Sequence, residues 1–252
     1  MRRLCIGAPS LRLSFPPLLG ARSHRVIPQQ RPTRLAARTF SLLEFRSDHS
    51  TARDAVHSHV SDELIETMGL VSIQTLVEDK DEYLARPDKG REISDETAEL
   101  LRDACQQAPQ VQVIVADGLS STAIERNIPD LLPVLTDGLD HRGLDVGTPI
   151  FVTYGRVDVM DAIGEELDAE CCLILIGERP GLATADSLSA YMVYGPERGT
   201  PTAKKTVISN IHAGGLPPVE AGAEIVDLID EMCDKQASGL DLTATDREFA
   251  KG

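Results

Sequence analysis

The chain has 252 residues, enough to bury a sizeable core in one main domain with an appendage. Forty acidic against 25 basic side chains give a formal net charge of −15, which argues against a nucleic-acid-binding protein, since phosphates demand a basic face. No apolar run reaches the length of a bilayer span, and five cysteines without framework or C-x-x-C spacing set aside a disulfide scaffold and a zinc module.

Charge is unevenly placed along the chain. Residues 1–38 hold eight arginines, no lysine and no acid, which leaves 17 basic against 40 acidic side chains, a net −23, in the rest. The head has the arginine-rich, acid-free composition of a transit peptide, yet it is also proline-rich and lacks a clean apolar stripe. A disordered tail, or a start codon placed too far upstream, explains it as well. Reduced thiols in a cytoplasmic chain are the simplest reading of the cysteines.

From Ser41 to about Val56 the spacing of Leu42, Phe45, His49, Ala52 and Val56 predicts an amphipathic helix. Ser61-Asp62-Glu63 opens a shorter helix ending near Gly69, and Leu70–Val77 alternates as a strand. Tyr83–Arg91 reads as a turn-rich connector interrupted by Pro87 and Gly90, so a helical N-terminal region over 39–92 is expected to give way to the main domain over 93–252. Ser94 is a good N-cap, followed by Asp95 and Glu96 in the first turn and a stripe of Ala98, Leu101 and Cys105.

Beyond this helix, strands and helices alternate. Val111–Ala116, Ile150–Thr153, Cys171–Ile176 and, more weakly, Thr206–Ile208 are apolar, β-branched runs of buried-strand type. Helical segments follow Ser120, run from Pro129 to about His141, and run from Val159 to about Leu167. Leu188–Tyr194 is a further strand, and the last helix starts at Pro217-Pro218 with Ile225, Leu228, Ile229, Met232 and Cys233 on one face before Gly239 ends it. Cys171 and Cys172 are neighbours in one strand and should point to opposite faces. The fold class is therefore α/β, with a mostly parallel sheet whose strand ends present their loops along one edge, where such sheets bind ligands.

Four loops leave that edge: Asp117–Ser120, Tyr154–Val157, Gly177–Gly181 and Ser209–Gly215. They lack G-x-G-x-x-G, a Walker lysine and a G-x-S-x-G elbow, which disfavours ordinary dinucleotide binding and hydrolase chemistry at Ser120. What they offer is glycine for close approach, backbone N–H and C=O groups, and a few polar side chains. Such a fringe suits a large, flat, amide-rimmed ligand such as a corrinoid.

At these same residues the chain closely resembles the small subunit (light chain) family of ethanolamine ammonia-lyase. The matching stretches are Phe45–His49, Ala52–Val56, Ala85–Arg91, Asp117–Ser120, Tyr154–Val157, Gly177–Leu182, Ser209–Gly215 and Ala237–Gly239, covering roughly residues 41 to 242 in one order, whereas residues 1–38 align with no part of the family's lead-in. The resemblance implies a Rossmann-like cobalamin-binding domain with helices on both faces of the sheet. It further implies assembly with a large barrel subunit that binds ethanolamine, and adenosylcobalamin held between the two for radical conversion of ethanolamine to acetaldehyde and ammonia. The chain would be inactive alone and would supply no catalytic residue and no metal ligand. Enclosure in a bacterial microcompartment is compatible with this family.

Carried over by position, the family's cobalamin-contacting places fall on Val157, Glu178 and Val207. The valines would serve through backbone and apolar contact, and Glu178 would accept hydrogen bonds from amide side chains of the macrocycle. The place of Val207 looks like cysteine in some relatives, so a thiol is not essential there. D-x-H-x-x-G is missing, which points to a base-on cofactor. Each residue also has a structural reading. Asp117 and Ser120 would cap the following helix, Arg156 and Arg179 would be solvated or paired with acids, Glu178 would be a surface carboxylate, His212 a satisfied loop histidine, and the valines core. The alternative function is a corrinoid- or nucleotide-binding module that stands alone without lyase activity.

Overall fold

A computed structural model describes residues 58–181 and 184–243, all within the unit Ser41–Gly252. The helix expected over Ser41–Val56 and the arginine-rich tail lie outside the described residues. The elements in order are α1 (Asp62–Thr67), β1 (Val71–Gln74), α2 (Lys80–Ala85), a 3-10 turn (Lys89–Arg91), α3 (Asp95–Ala104), β2 (Val111–Ala116), α4 (Ser121–Arg142) and β3 (Ile150–Thr153). They continue with α5 (Val159–Leu167), β4 (Cys171–Gly177), β5 (Leu188–Tyr194), a second 3-10 turn (Thr202–Lys204), β6 (Thr206–Ile211) and α6 (Pro218–Lys235).

The six strands form one sheet in the order β1-β3-β2-β4-β5-β6. Pairs β1/β3, β3/β2 and β2/β4 are parallel, whereas β5 runs antiparallel to both β4 and β6. Only β5 is reversed, so β6 points the same way as the first four and ends on their carboxyl edge. The centre of the sheet, β2 and β4, is buried at every position, as strands covered on both faces must be.

Alternation along these strands builds two cores. Val111, Val113, Val115, Cys171, Leu173 and Leu175 pack on one face with Ile128, Leu131 and Leu135 of α4 and Ile225 and Ile229 of α6. Ile114, Ala116, Cys172, Ile174 and Ile176 pack on the other with Leu101 of α3 and Met160 and Ile163 of α5. Cys171 and Cys172 do point to opposite faces, and helices do cover both sides of the sheet. Both follow from the two-residue period of a strand.

Three elements differ from expectation. The two helical segments after Ser120 are one helix, α4, that carries Pro129 and Pro133 in its interior. Each proline removes a main-chain donor, but the helix continues through both, with the fully buried Ile128, Leu131, Leu135 and Leu139 packed in the core against the sheet. A helix, α2, occupies the start of the expected connector. Asp79 caps it by accepting from the Glu82 N–H at 2.8 Å, an acidic cap signal that sits just before the stretch read as turns. Finally, β1 joins the sheet by pairing with β3, so the sheet draws strands from both sides of residue 92. No helix among the described residues is long and apolar enough to cross a membrane.

Candidate functional site

A cleft of about 350 Å³ opens at the carboxyl edge of the sheet. Gly118 and Leu119 reach it from the loop after β2, Arg156 and Val157 from that after β3, and Gly177, Glu178 and Arg179 from that after β4. Ile176 of β4, Ser189 and Tyr191 of β5, Val207 and Ser209 of β6, and Tyr83 of α2 complete the lining. The first three loops singled out in the sequence thus converge, whereas the fourth, Ser209–Gly215, reaches the cleft lining only through Ser209, which belongs to β6 itself.

Two glycines let the loops close up. A Cβ on Gly118, whose φ is +56°, would stand 2.6 Å from Cγ1 of Ile176, and one on Gly177 would stand 2.6 Å from the carbonyl oxygen of Asp117 and nearer still to that of Ser120. The N–H of Leu119 donates to the carbonyl of Gly177 at 3.0 Å, locking the two loops backbone to backbone. No side chain fits between them.

Glu178 is the carboxylate of the cleft. Its Oε2 accepts from the Ser187 hydroxyl at 2.7 Å, and its Oε1 accepts from the Ser189 hydroxyl and from the Asn210 N–H at 3.1 Å. Serines on either side of Leu188 are brought there because Leu188 pairs with Gly177 across the antiparallel β4/β5 ladder. The Asn210 N–H is free to turn inward because β6 bulges. Leu188 pairs with Ile211 but Ala190 pairs with Ile208, and Asn210 adopts a left-handed φ of +62°. Burial alone would raise the Glu178 carboxyl, but these hydrogen bonds outweigh it and hold the group below its ordinary value. With roughly four lone-pair sites on a carboxylate, three bonds leave room for one further donor.

Val157 is half-buried, packed on the core formed with α5, and its carbonyl accepts from Met160 in the first turn of that helix. Val207, opposite Tyr191, is 44 % exposed, so the core reading of this valine is overturned. Together with Leu119, Ile176 and Tyr191 the valines give the cleft an apolar floor beneath a polar rim.

Beside the cleft lies a buried charged network that the sequence did not single out. Lys80 and Asp117 are both buried, with Nζ 3.9 Å from Oδ2, and Lys80 donates to the carbonyl of Gly118 at 3.2 Å. Its ammonium sits 4.7 Å from the Tyr83 ring centroid, and the Arg156 guanidinium 4.0 Å from the same centroid. Tyr83 donates its hydroxyl to Gly155 O at 3.0 Å, and burial pushes its phenol up. Burial likewise pushes the Asp117 carboxyl up to about 6, against the pull of Lys80 and of the N–H groups of Tyr154, Gly118 and Gly155. Lys80 is pushed down for the same reason. Lys80 and Tyr83 escaped notice because α2 did; Asp79-x-x-Glu82 was the available signal.

The remaining loop residues have structural work. Asp117 does not cap α4, for Ser120 does, accepting from the Ala123 N–H at 3.2 Å while donating its hydroxyl to Ala185 O at 2.6 Å. Fully buried and bonded in both roles, Ser120 is no nucleophile. The ring Nδ1 of His212 accepts from the Gly214 N–H at 3.1 Å, which puts the proton on Nε2 for the 2.9 Å bond to Asn210 Oδ1. His212 braces the bulge that turns Asn210 toward Glu178.

A volume near the low end of the about 300–1,000 Å³ usual for ligand sites is too small to enclose a corrinoid, but an open shelf with an apolar floor, a spare carboxylate lone pair and cationic groups fits one side of such a molecule. Residues 24–243 match the family model described as Ethanolamine ammonia-lyase light chain (EutC), so the likeness begins well before residue 41, where the resemblance in the sequence starts, and takes in part of the arginine-rich head. The chain is 52% identical over 205 residues to the ethanolamine ammonia-lyase small subunit of Clostridium perfringens, covering 81% of this chain and 70% of the relative. It is 51% identical over 205 residues to that of a Listeria monocytogenes strain, with the same coverage, and 50% identical over 210 residues to that of Clostridium acetobutylicum, covering 83% of this chain and 86% of the relative.

Proposed function

The chain belongs to the ethanolamine ammonia-lyase light chain family, and from that premise we propose that it is a lyase subunit whose carboxyl-edge cleft forms one wall of an adenosylcobalamin site, the other wall coming from a large barrel subunit that binds ethanolamine. What supports this reading is that Val157, Glu178 and Val207, drawn from three separate segments, line one cleft. When bound, the cofactor supplies the radical that removes hydrogen from ethanolamine on the way to acetaldehyde and ammonia. This chain's part is to bind and orient. Val157 and Val207 give apolar contact, and their floor excludes water from it. Glu178, fixed by Ser187, Ser189 and Asn210, offers its remaining lone pair to an amide N–H of the macrocycle.

No substrate-gripping group falls to this chain, which by itself turns over no ethanolamine. The domain is Rossmann-like in this reading, and the complex is cytoplasmic or enclosed in a bacterial microcompartment. Coexpression with the large subunit, followed by an assay for acetaldehyde release, tests it. Activity should require both chains and added adenosylcobalamin; turnover by the isolated chain, or by the pair without the cofactor, would overturn it.

A further inference from the structure

Two arginines line the cleft without an acid to answer them. Among the described residues, Arg156 and Arg179 make no ion pair, whereas Arg86, Arg91, Arg102, Arg126, Arg142 and Arg198 all do. In a chain whose acids outnumber its bases by 23 beyond residue 38, pairing should be easy, so two unpaired arginines in one cleft reverse the local sign. The nearby acids are committed elsewhere. Asp117 faces Lys80, and Glu178 is held by Ser187, Ser189 and Asn210.

Arg156 is also held in place ahead of any ligand. Its guanidinium lies on the Tyr83 ring, Nη2 donates to Tyr83 O at 2.9 Å, and its main-chain N–H donates to Gly90 O at 2.7 Å. Its Nε is buried and has no hydrogen-bond partner. That nitrogen is closed off from the cleft, but among the described residues Nη1 makes no hydrogen bond and is not shut in, and a guanidinium already held in place with an unused nitrogen on a cleft is suited to a phosphate-type oxyanion.

We infer that Arg156 anchors an oxyanion in the cleft and, resting on the cofactor reading above, that this oxyanion is the phosphodiester joining the corrin ring to its nucleotide. Arg179, exposed at the rim, adds long-range attraction but no fixed contact.

The test compares two corrinoids on the complex of this chain with its large subunit: cyanocobalamin, which carries the phosphodiester, and dicyanocobinamide, which lacks it. Binding is followed by equilibrium dialysis, for the wild type, Arg156→Gln and Arg156→Lys. Arg156→Gln should weaken cyanocobalamin about 10- to 100-fold and leave dicyanocobinamide within about twofold. Arg156→Lys, which keeps the charge but not the stacked guanidinium, should restore only part of the loss, and the wild-type preference for cyanocobalamin should shrink with added salt. Equal losses for both corrinoids in both variants, or no change in either, would overturn the assignment to Arg156 while leaving the cofactor reading standing. A wild-type complex that binds neither corrinoid would bring down both.

Discussion

Lys80 and Asp117 face each other at 3.9 Å inside the fold, one at the start of α2 and the other just after β2, and both are desolvated. Asp117 Oδ1 also accepts from the Gly155 N–H at 3.3 Å, so this pair ties three chain segments behind the cleft.

The raised Asp117 carboxyl has a definite pH signature. Its folded value, about 6, exceeds its ordinary 3.8, so the folded protein holds a proton there that the unfolded chain releases. Stability from this group is fully present below about pH 4 and is lost as pH rises through about 6. Asp117→Asn keeps an acceptor for Gly155 but cannot titrate. Between pH 4 and 7 the wild type should lose stability relative to Asp117→Asn, by up to about 3 kcal/mol. Urea unfolding of both proteins at each pH measures it; parallel stability curves would show that Asp117 titrates normally.

The backbone contact between the loops after β2 and β4 makes Gly177 intolerant of a side chain. Gly177→Ala would drive a methyl into the carbonyls of Asp117 and Ser120, neither of which can move without breaking the Leu119–Gly177 hydrogen bond. A cost of about 2 kcal/mol and a Tm lowered by about 4–8 °C are expected. A melting temperature within about 1 °C of the wild type would mean that the loops are not packed this way.

Glu178 should report on the cofactor and not on the substrate. Glu178→Ala strips partners from two serine hydroxyls and from the Asn210 N–H and removes the acceptor offered to the macrocycle. The adenosylcobalamin concentration giving half-maximal activity of the two-subunit enzyme should rise about tenfold, with the KM for ethanolamine nearly unchanged. Ser189→Ala should move it the same way by less, since Ser187 and Asn210 still hold the carboxylate. An unchanged cofactor requirement for Glu178→Ala would remove the residue from the site.

Much of this arrangement was legible in the sequence, and the gaps have physical causes. Buried strands announce themselves by near-continuous apolar runs, so β2, β3 and β4 and the loops that follow them could be read directly, whereas Val157 and Glu178 were singled out within those loops by the family resemblance alone. The Glu178 cradle could not. Ser187 and Ser189 are in place only because β5 runs antiparallel, and pairing direction leaves no local mark. The bulge that turns the Asn210 N–H toward the carboxylate is set by tertiary register, and a strand read as ending at Ile208 hid it. Pro129 misled for the opposite reason: a local helix-breaking signal was overridden by burial along α4. Pairing of Arg156 was the natural expectation in so acidic a chain, and only the coordinates show that the acids around it are engaged by others.

A second buried charge cluster gives the sharpest test of packing away from the cleft. The Lys205 side chain is fully buried, with Nζ 2.7 Å from Asp158 Oδ1 and 2.7 Å from Asp161 Oδ2. Burial pushes the Asp161 carboxyl up to about 6 against the pull of Lys205, and Asp161 Oδ1 has no partner. Lys205→Met keeps the stem's volume but leaves a buried carboxylate uncompensated, a change that costs about 3–5 kcal/mol at neutral pH. Without the ammonium, Asp161 is held still further above its ordinary value, so it protonates readily on acidification. The penalty of Lys205→Met should therefore shrink between pH 7.5 and 5 and should be small throughout in Lys205→Met/Asp161→Asn. A penalty independent of pH, or one that the second substitution leaves unrelieved, would show that Lys205 acts through packing and not through its charge.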